Sequence, residues 1–199
     1  ECSSSSINDP STYYSYCQNE TYFKDVTFTH IMSSNYIIGL NHPNEDMPFN
    51  FTFSSCTFLQ CQSNGNGGGI GLQANNLDYL IFDSCLFNES TNSSNNGGCV
   101  AFSKNNNDLN AQFVRCIFTK TRSNQKGASL YFSANKSIII SGCNFTDQSS
   151  SQEGGAIYIT GDPTIDVIDT GFYSTTSNGR GNAICLDATT EPIKISNCI

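Results

Sequence analysis

Apolar residues in this chain stand at every second position in short runs, and the runs recur at a nearly constant step. Phe51-x-Phe53, Cys85-x-Phe87, Ile165-x-Val167 and Ile193-x-Ile195 alternate with polar residues. A period of two is that of a strand with one face buried. No run carries a helical stripe. The breaks between runs are clusters of Asn, Ser, Gly and Asp, as at 92–96, 105–108 and 149–151, which read as turns. The pattern predicts many short strands and no helix.

The runs align with one another. Four copies place a Cys two residues before a Phe: Cys56-Thr-Phe58, Cys85-Leu-Phe87, Cys116-Ile-Phe118 and Cys143-Asn-Phe145. Val26-Thr-Phe28 and Thr170-Gly-Phe172 keep the Phe, and Cys198 opens a seventh copy. From Val26 the steps are 30, 29, 31, 27, 27 and 28 residues. Three before the Cys column stand Phe23, Phe53, Phe82, Phe113, Ile140, Val167 and Ile195; five before it stand Phe51, Leu80, Ala111, Ile138, Ile165 and Ile193. Seven after it, or eight in one copy, comes Ser33, Ser63, Ser93, Ser123, Ser150 or Ser177. About eleven after it a Gly-rich opening leads into a second apolar run, as in Gly67-Gly68-Gly69-Ile70, Gly97-Gly98-Cys99-Val100 and Gly154-Gly155-Ala156-Ile157. A period of about 20 to 50 residues marks an architecture in which each unit buries its apolar face against its neighbours.

About 27 residues fit one coil of a parallel β-helix, in which each column stacks on itself at about 4.8 Å. The expected fold is therefore all-β: a right-handed, single-stranded parallel β-helix of about six coils. Phe28, Phe58, Phe87, Phe118, Phe145 and Phe172 are expected to form an internal ladder. The Gly column suits a corner where φ is positive or a side chain would clash. Residues 1–20 read as an N-terminal cap and 21–199 as the coils. The sequence ends at Ile199 within a repeat, so an open apolar coil edge is expected there, continued by further sequence or by a second molecule. Head-to-tail stacking of copies would build a filament.

Composition narrows the functional classes. The chain has 199 residues, 17 acidic and 9 basic, for a net charge of −8. That surface repels phosphate backbones, so nucleic acid is not an expected partner. No run has the ~18–20 apolar residues of a membrane helix. Ten Cys with an even count point to an oxidising compartment. Sequons stand at Asn19, Asn50, Asn88, Asn92, Asn135 and Asn144, and all are expected on the outer surface.

Cys56 with Cys85, and Cys116 with Cys143, share a column on adjacent coils, within the Cα separation a disulfide allows. Two readings stay open: rung-to-rung disulfides Cys56–Cys85 and Cys116–Cys143, or a ladder of buried free thiols. A disulfide Cys2–Cys17 is expected to close the cap. Cys61, Cys99 and Cys185 lie off the column. Zinc is not expected, since there is no CxxC pair and His30 and His42 are the only histidines.

Acid–base cleavage of a glycosidic bond needs two carboxyls about 5–10 Å apart. The densest acidic group is Asp162, Asp166 and Asp169, with Glu153 and Asp187 on neighbouring repeats. Asp166 and Asp169 differ by an odd step and face opposite ways on a regular strand, so solvated outer-face acids are the expectation. The glycine run 65–71 lacks the spacing and the Lys-Ser/Thr of a phosphate loop. Tyr131, Tyr158 and Tyr173 are candidates for stacking on sugars.

Gly154-Gly155-Ala156-Ile157-Tyr158, following Cys143-x-Phe145, resembles the GGAI-plus-FxxN repeats of polymorphic outer membrane proteins. Similar Cys-x-Phe…Gly-Gly-Ala-Ile arrays occur in large surface proteins of protists and algae. The resemblance covers most of residues 20–199. It implies a pectin-lyase-like parallel β-helix on an extracellular surface, with adhesive or structural roles. The family's Asn three after the Phe is Cys61, Ser90, Thr121, Gln148 and Thr175 here. The Gly-His-Gly, Asp-Asp and Arg-x-Lys residues of polysaccharide-cleaving relatives have no counterpart.

The resulting expectation is a secreted or cell-surface glycoprotein module without catalytic residues, cofactor or metal. Its partners are other copies of itself, surface proteins or glycans, with N-glycans attached. The alternative is a carbohydrate-binding or polysaccharide-cleaving β-helix.

Overall fold

The structure, a computed structural model, describes residues 20–33, 49–68, 70–72, 77–102, 109–133, 136–187 and 192–199. All regular structure among them is β, and every strand pairing is parallel. The chain winds as a β-solenoid with three faces. Face A holds seven strands: Glu20–Lys24, Phe49–Ser54, Leu77–Asp83, Asn110–Val114, Ser137–Ser141, Thr164–Ile168 and Ile193–Ser196. Face B begins in each coil with Thr27–Thr29, Thr57–Leu59, Leu86–Asn88, Ile117–Thr119, Asn144–Ser150 or Gly171–Ser177. Face C holds Ile70–Leu72, Val100–Phe102, Leu130–Ser133, Ile157–Thr160 and Ile184–Asp187. Among the described residues, five coils are complete on all three faces. The cap segment, apart from Glu20, lies outside the described residues, as do Cys2, Cys17, Asn19, His42 and Asn135.

The register stacks like on like. Phe28, Phe58, Phe87, Phe118, Phe145 and Phe172 pair in succession on face B. Their ring centroids are 4.7, 4.6, 4.8, 4.6 and 5.1 Å apart, with planes within 6°. On face A, Phe23, Phe53, Phe82 and Phe113 form a second ladder at 4.8–4.9 Å. The ladders meet edge to face, as at Phe82–Phe87, 5.7 Å and 63°. Each buried Phe contributes about 1.5–3 kcal/mol of transfer energy, and a well-placed ring pair adds about 0.5–1.5 kcal/mol. Alternation along each strand buries these rings and turns the residues between them outward.

Among the described residues, three bends recur from coil to coil in the left-handed conformation. Between faces A and B stand Asp25, Ser55, Ser84, Arg115, Gly142, Asp169 and Asn197; the non-glycine members have φ of 52–56°. Within face B stand His30, Gln60, Glu89, Lys120, Asp147 and Ser174, with φ of 52–55°. Before face C stand Gly67, Gly97, Gly127, Gly154 and Gly181. A corner residue's amide donates to the next coil, as in Ser84 N to Val114 O at 2.8 Å and Gln60 N to Asn88 O at 2.8 Å. The ladder of backbone hydrogen bonds thus continues around the bend, and the buried amides stay satisfied.

The Cys column is buried, and its members are free thiols. The candidate disulfides Cys56–Cys85 and Cys116–Cys143 are not formed in this structure, where these four cysteines are free. Each Sγ sits between two carbonyl acceptors: Cys85 lies 3.4 Å from Phe53 O and 3.5 Å from Asp83 O, and Cys143 lies 3.4 Å from Phe113 O and 3.5 Å from Ser141 O. The Cys116 thiol and burial together hold Cys143 well above the ordinary thiol range. A hydrogen bond from Cys85 lowers Cys56, at the start of the ladder. Cys61, off the column, is pushed up to about 12 by burial.

One inward column departs from the rest. Five after the Cys position the stack runs Ile31, Cys61, Ser90, Thr121, Gln148, Thr175. Thr121 and Gln148 are fully buried beside Ser129 on face C. The Thr121 and Ser129 hydroxyls lie 2.7 Å apart, and both donate to Gln148 Oε1. Gln148 Nε2 donates to Phe118 O (3.0 Å) and Thr146 O (2.8 Å). Ser90 Oγ is the one buried side-chain oxygen or nitrogen left without a partner among the described residues.

The Ser column also needs a correction. Register aligns Asn92, not Ser93, with Ser63 and Ser123. Asn92 does what the serines do at this turn. Its Oδ1 accepts from Ser94 N (3.0 Å) and Asn95 N (2.7 Å), as Ser63 Oγ accepts from Gly65 N (3.0 Å).

Candidate functional site

The densest constellation of charged and aromatic groups lies on the outside of face C. Strand Ile157–Thr160 turns Ile157 and Ile159 inward and Tyr158 outward. Register stacks Tyr131, Tyr158 and Cys185 in one outward column and Ser133, Thr160 and Asp187 in the next. Immediately before the glycine corner, one coil apart, stand Lys126, Glu153 and Arg180. The corner geometry therefore delivers alternating charges onto the edge of the tyrosine column.

The groups interlock across three coils. Lys126 Nζ lies 2.9 Å from Tyr158 Oη and 2.9 Å from Glu153 Oε2, and 4.2 Å above the Tyr158 ring centre. Tyr158 Oη donates to Asp187 Oδ2 at 2.7 Å. Arg180 Nε and Nη2 donate to Glu153 Oε1 at 2.8 and 2.7 Å, and Nη2 lies 3.5 Å from Asp187 Oδ1. The Tyr131 ring stacks on Tyr158 at 5.6 Å and 4°.

The electrostatics follow from these contacts. The Lys126 hydrogen bond, then that of Arg180, holds Glu153 below the usual carboxylate range. The Tyr158 hydrogen bond does the same for Asp187. Burial raises the Tyr158 phenol. Burial also opposes charge on Lys126, but its bonds to Tyr158 and Glu153 outweigh that and raise it. A glycosidic acid–base pair needs one carboxyl held protonated. Here both carboxylates are favoured as anions and bridged by one guanidinium. The arrangement is a clasp between coils.

The other predicted acids scatter. Asp166 faces outward on face A between Ile139 and Lys194, and Asp169 is a corner residue that accepts from Asn197 Nδ2 at 3.0 Å. Asp162 lies in an exposed turn. Of the tyrosines, Tyr158 is buried under the clasp, Tyr131 is partly covered and Tyr173 is 44 % exposed. Lys126 and Arg180 were the members missed from sequence. Their signal was present: three charged residues of alternating sign at the coil step of 27.

The sequons separate sharply. Asn144 is exposed on face B, and Asn50 and Asn88 are partly exposed on outward positions. Asn92 is 2 % exposed. Both ends of its amide are engaged, with Nδ2 donating to Gly65 O and Asn96 O. This corrects the expectation of an outer-surface glycan at Asn92: a sugar on Nδ2 would break the turn it holds.

No protein-family model, curated protein or solved structure matches the chain.

Proposed function

We propose that the chain is an extracellular structural or adhesive module of a secreted or cell-surface glycoprotein. The observation that carries this reading is a repeated exterior. The outward column Thr29, Leu59, Asn88, Thr119, Thr146, Tyr173 presents one side chain per coil at about 4.8 Å intervals along face B. A rod with a repeated face suits many weak contacts in series, which is the work of a scaffold or adhesin. On face C the exterior charges are committed to holding coils together.

The extracellular assignment draws on the sequons and on the resemblance to polymorphic outer membrane proteins and the pectin-lyase-like fold. Antibody labelling of intact against permeabilised source cells tests the location. Signal that needs permeabilisation overturns it.

Head-to-tail assembly is part of the same proposal. Ile193 and Ile195, in the last described strand, are exposed in columns whose other members are buried. A further coil, from the same polypeptide or from a second copy, would continue those columns, and copies stacked head to tail would form a filament. Electron microscopy of concentrated protein reads this directly: monodisperse short particles at every concentration dismiss the filament.

A further inference from the structure

Two sequons share the tripeptide Asn-Phe-Thr: Asn50-Phe51-Thr52 and Asn144-Phe145-Thr146. In both, the Phe is buried and the flanking Asn and Thr face outward on a strand. In both, an aromatic side chain stands on the next coil. Asn50 is in direct register with Tyr79, which is 38 % exposed. Asn144 is in register with Gly171, and Tyr173 reaches back across that glycine. A Cβ placed on Gly171 would lie 2.5 Å from Tyr173 Cε2, 2.8 Å from its hydroxyl and 2.9 Å from Asn144 Oδ1. The ring edge and the Asn144 amide therefore converge on one outward spot that only glycine leaves open. On the other side of Asn144 stands Ile117, 46 % exposed.

The distribution of exposed apolar groups supplies an independent argument. Outside the last coil, the exposed large apolar side chains among the described residues are Met32, Tyr79, Ile117 and Tyr173. Three of these four adjoin Asn50 or Asn144. Single exposed apolar residues are ordinary; these three share their surroundings with an outward Asn. An aromatic face beside an outward Asn is a seat for the apolar face of a pyranose ring.

We propose that Asn50 and Asn144 carry N-linked glycans whose first N-acetylglucosamine packs on Tyr79 at one site and on Tyr173 and Ile117 at the other. The proposal rests on the extracellular reading, since the sugar comes from a lipid-linked oligosaccharide diphosphate in the secretory route. In that transfer the bond between the anomeric carbon and the diphosphate oxygen breaks, and the electron pair leaves with the lipid diphosphate. A bond from that carbon to Asn Nδ2 forms, the amide gives up one proton, and nothing is oxidised or reduced. Asn92 is excluded, because its Nδ2 is buried in two hydrogen bonds.

The test is the full chain, made behind a supplied leader in a secretory eukaryotic host with a co-expressed glycoprotein as control. Glycopeptide mass spectrometry is expected to find Asn50 and Asn144 occupied and Asn92 bare in the folded, secreted fraction. The midpoint of thermal unfolding is then compared before and after enzymatic removal of the glycans. Sugar contacts about as strong as one aromatic pair each raise it by about 2–4 °C. Tyr79→Ser and Tyr173→Ser are expected to abolish most of that glycan-dependent rise, yet to leave bacterially made, unglycosylated protein within about 1 °C, since both rings are exposed. Bare Asn50 and Asn144 beside a glycosylated control, or a glycan-dependent rise unchanged in the Tyr variants, overturns the proposal. Because the leader is supplied, either failure is distinct from a failure of the native surface location, which the labelling of intact cells reads separately.

Discussion

Two of the solenoid's corners accept almost any residue, while the third accepts only glycine, although all three have the same left-handed backbone. The corners on faces A and B hold Asp, Ser, His, Gln, Glu, Arg, Lys and Asn at positive φ. The corner before face C holds Gly67, Gly97, Gly127, Gly154 and Gly181. The difference is space. A Cβ at Gly127 would lie 2.1 Å from Leu130 O, and one at Gly181 would lie 2.1 Å from Ile184 O. At Gly142, the one glycine in the first corner column, the nearest atom would be Arg115 Cγ at 3.7 Å. Left-handed backbone costs an L-residue about 1–2 kcal/mol, which a well-packed solenoid tolerates many times over. A backbone carbonyl oxygen that far inside van der Waals contact is not tolerated.

The second glycine of the pair makes the point from the other side. Gly68, Gly98 and Gly155 do not need positive φ, but a Cβ there would lie 2.1, 2.1 and 1.8 Å from carbonyl oxygens of the next coil. The column nonetheless admits Ala128 and Asn182. Crowding in this column therefore varies from coil to coil, whereas the left-handed glycine is the same in all five described coils.

The largest effect expected from this contrast is at Gly127. Gly127→Ala forces a Cβ into Leu130 O and is expected to lose about 3–5 kcal/mol, read as a lower denaturant midpoint. A loss near 1 kcal/mol would mean that φ alone, not crowding, selects glycine here. Gly142→Ala is the control, with the same positive φ and open space. Its expected cost is about 1 kcal/mol, a fall of about 2–4 °C in unfolding midpoint. Ser55→Gly reverses the sign. Relief of the left-handed backbone, about 1–2 kcal/mol, exceeds the added unfolded-state entropy of about 0.5–1 kcal/mol. A net gain of about 0.5 kcal/mol should appear in the same melt, and a net loss would show that the Ser55 side chain stabilises the corner.

The smallest effect concerns the charges that precede the glycine corner. Glu153 and Asp187 are held below their ordinary values of 4.5 and 3.8. Their stabilisation is thus fully present above the unfolded values and is lost as pH falls through the folded ones. Wild type and Arg180→Ala should differ by a constant midpoint gap above about pH 5, and the gap should shrink as pH falls past the unfolded values and close only below the lowered folded ones. Because Arg180 is exposed, 1 M salt should also narrow it. A gap that persists at pH 2 would assign Arg180 a packing role and not an electrostatic one.

Much of this was legible along the chain, and the misses share a cause. The Phe columns, the Cys column and the glycine corner were readable because like residues recur at a fixed step. The twelve non-glycine corner residues were not, because they share a backbone conformation and no side-chain chemistry. The clasp was half legible: Glu153 and Asp187 stood out as acids, but only the fold brings Lys126 and Arg180 to them. The sequons read alike in one dimension, yet Asn92 is locked in a turn while Asn144 lies open on a face.

The sequence by itself determined the coil step, the inward columns and the parallel stack, because a side-chain period of two and a repeat near 27–31 residues leave few other ways to bury so many rings. Tertiary structure alone decided what each shared position does. Whether a Cys is a thiol between two carbonyls, whether Asn92 or Ser93 holds the turn, and whether a corner needs glycine depend on atoms one coil away. Those atoms are about 27–31 residues distant in sequence and about 4.8 Å distant in space.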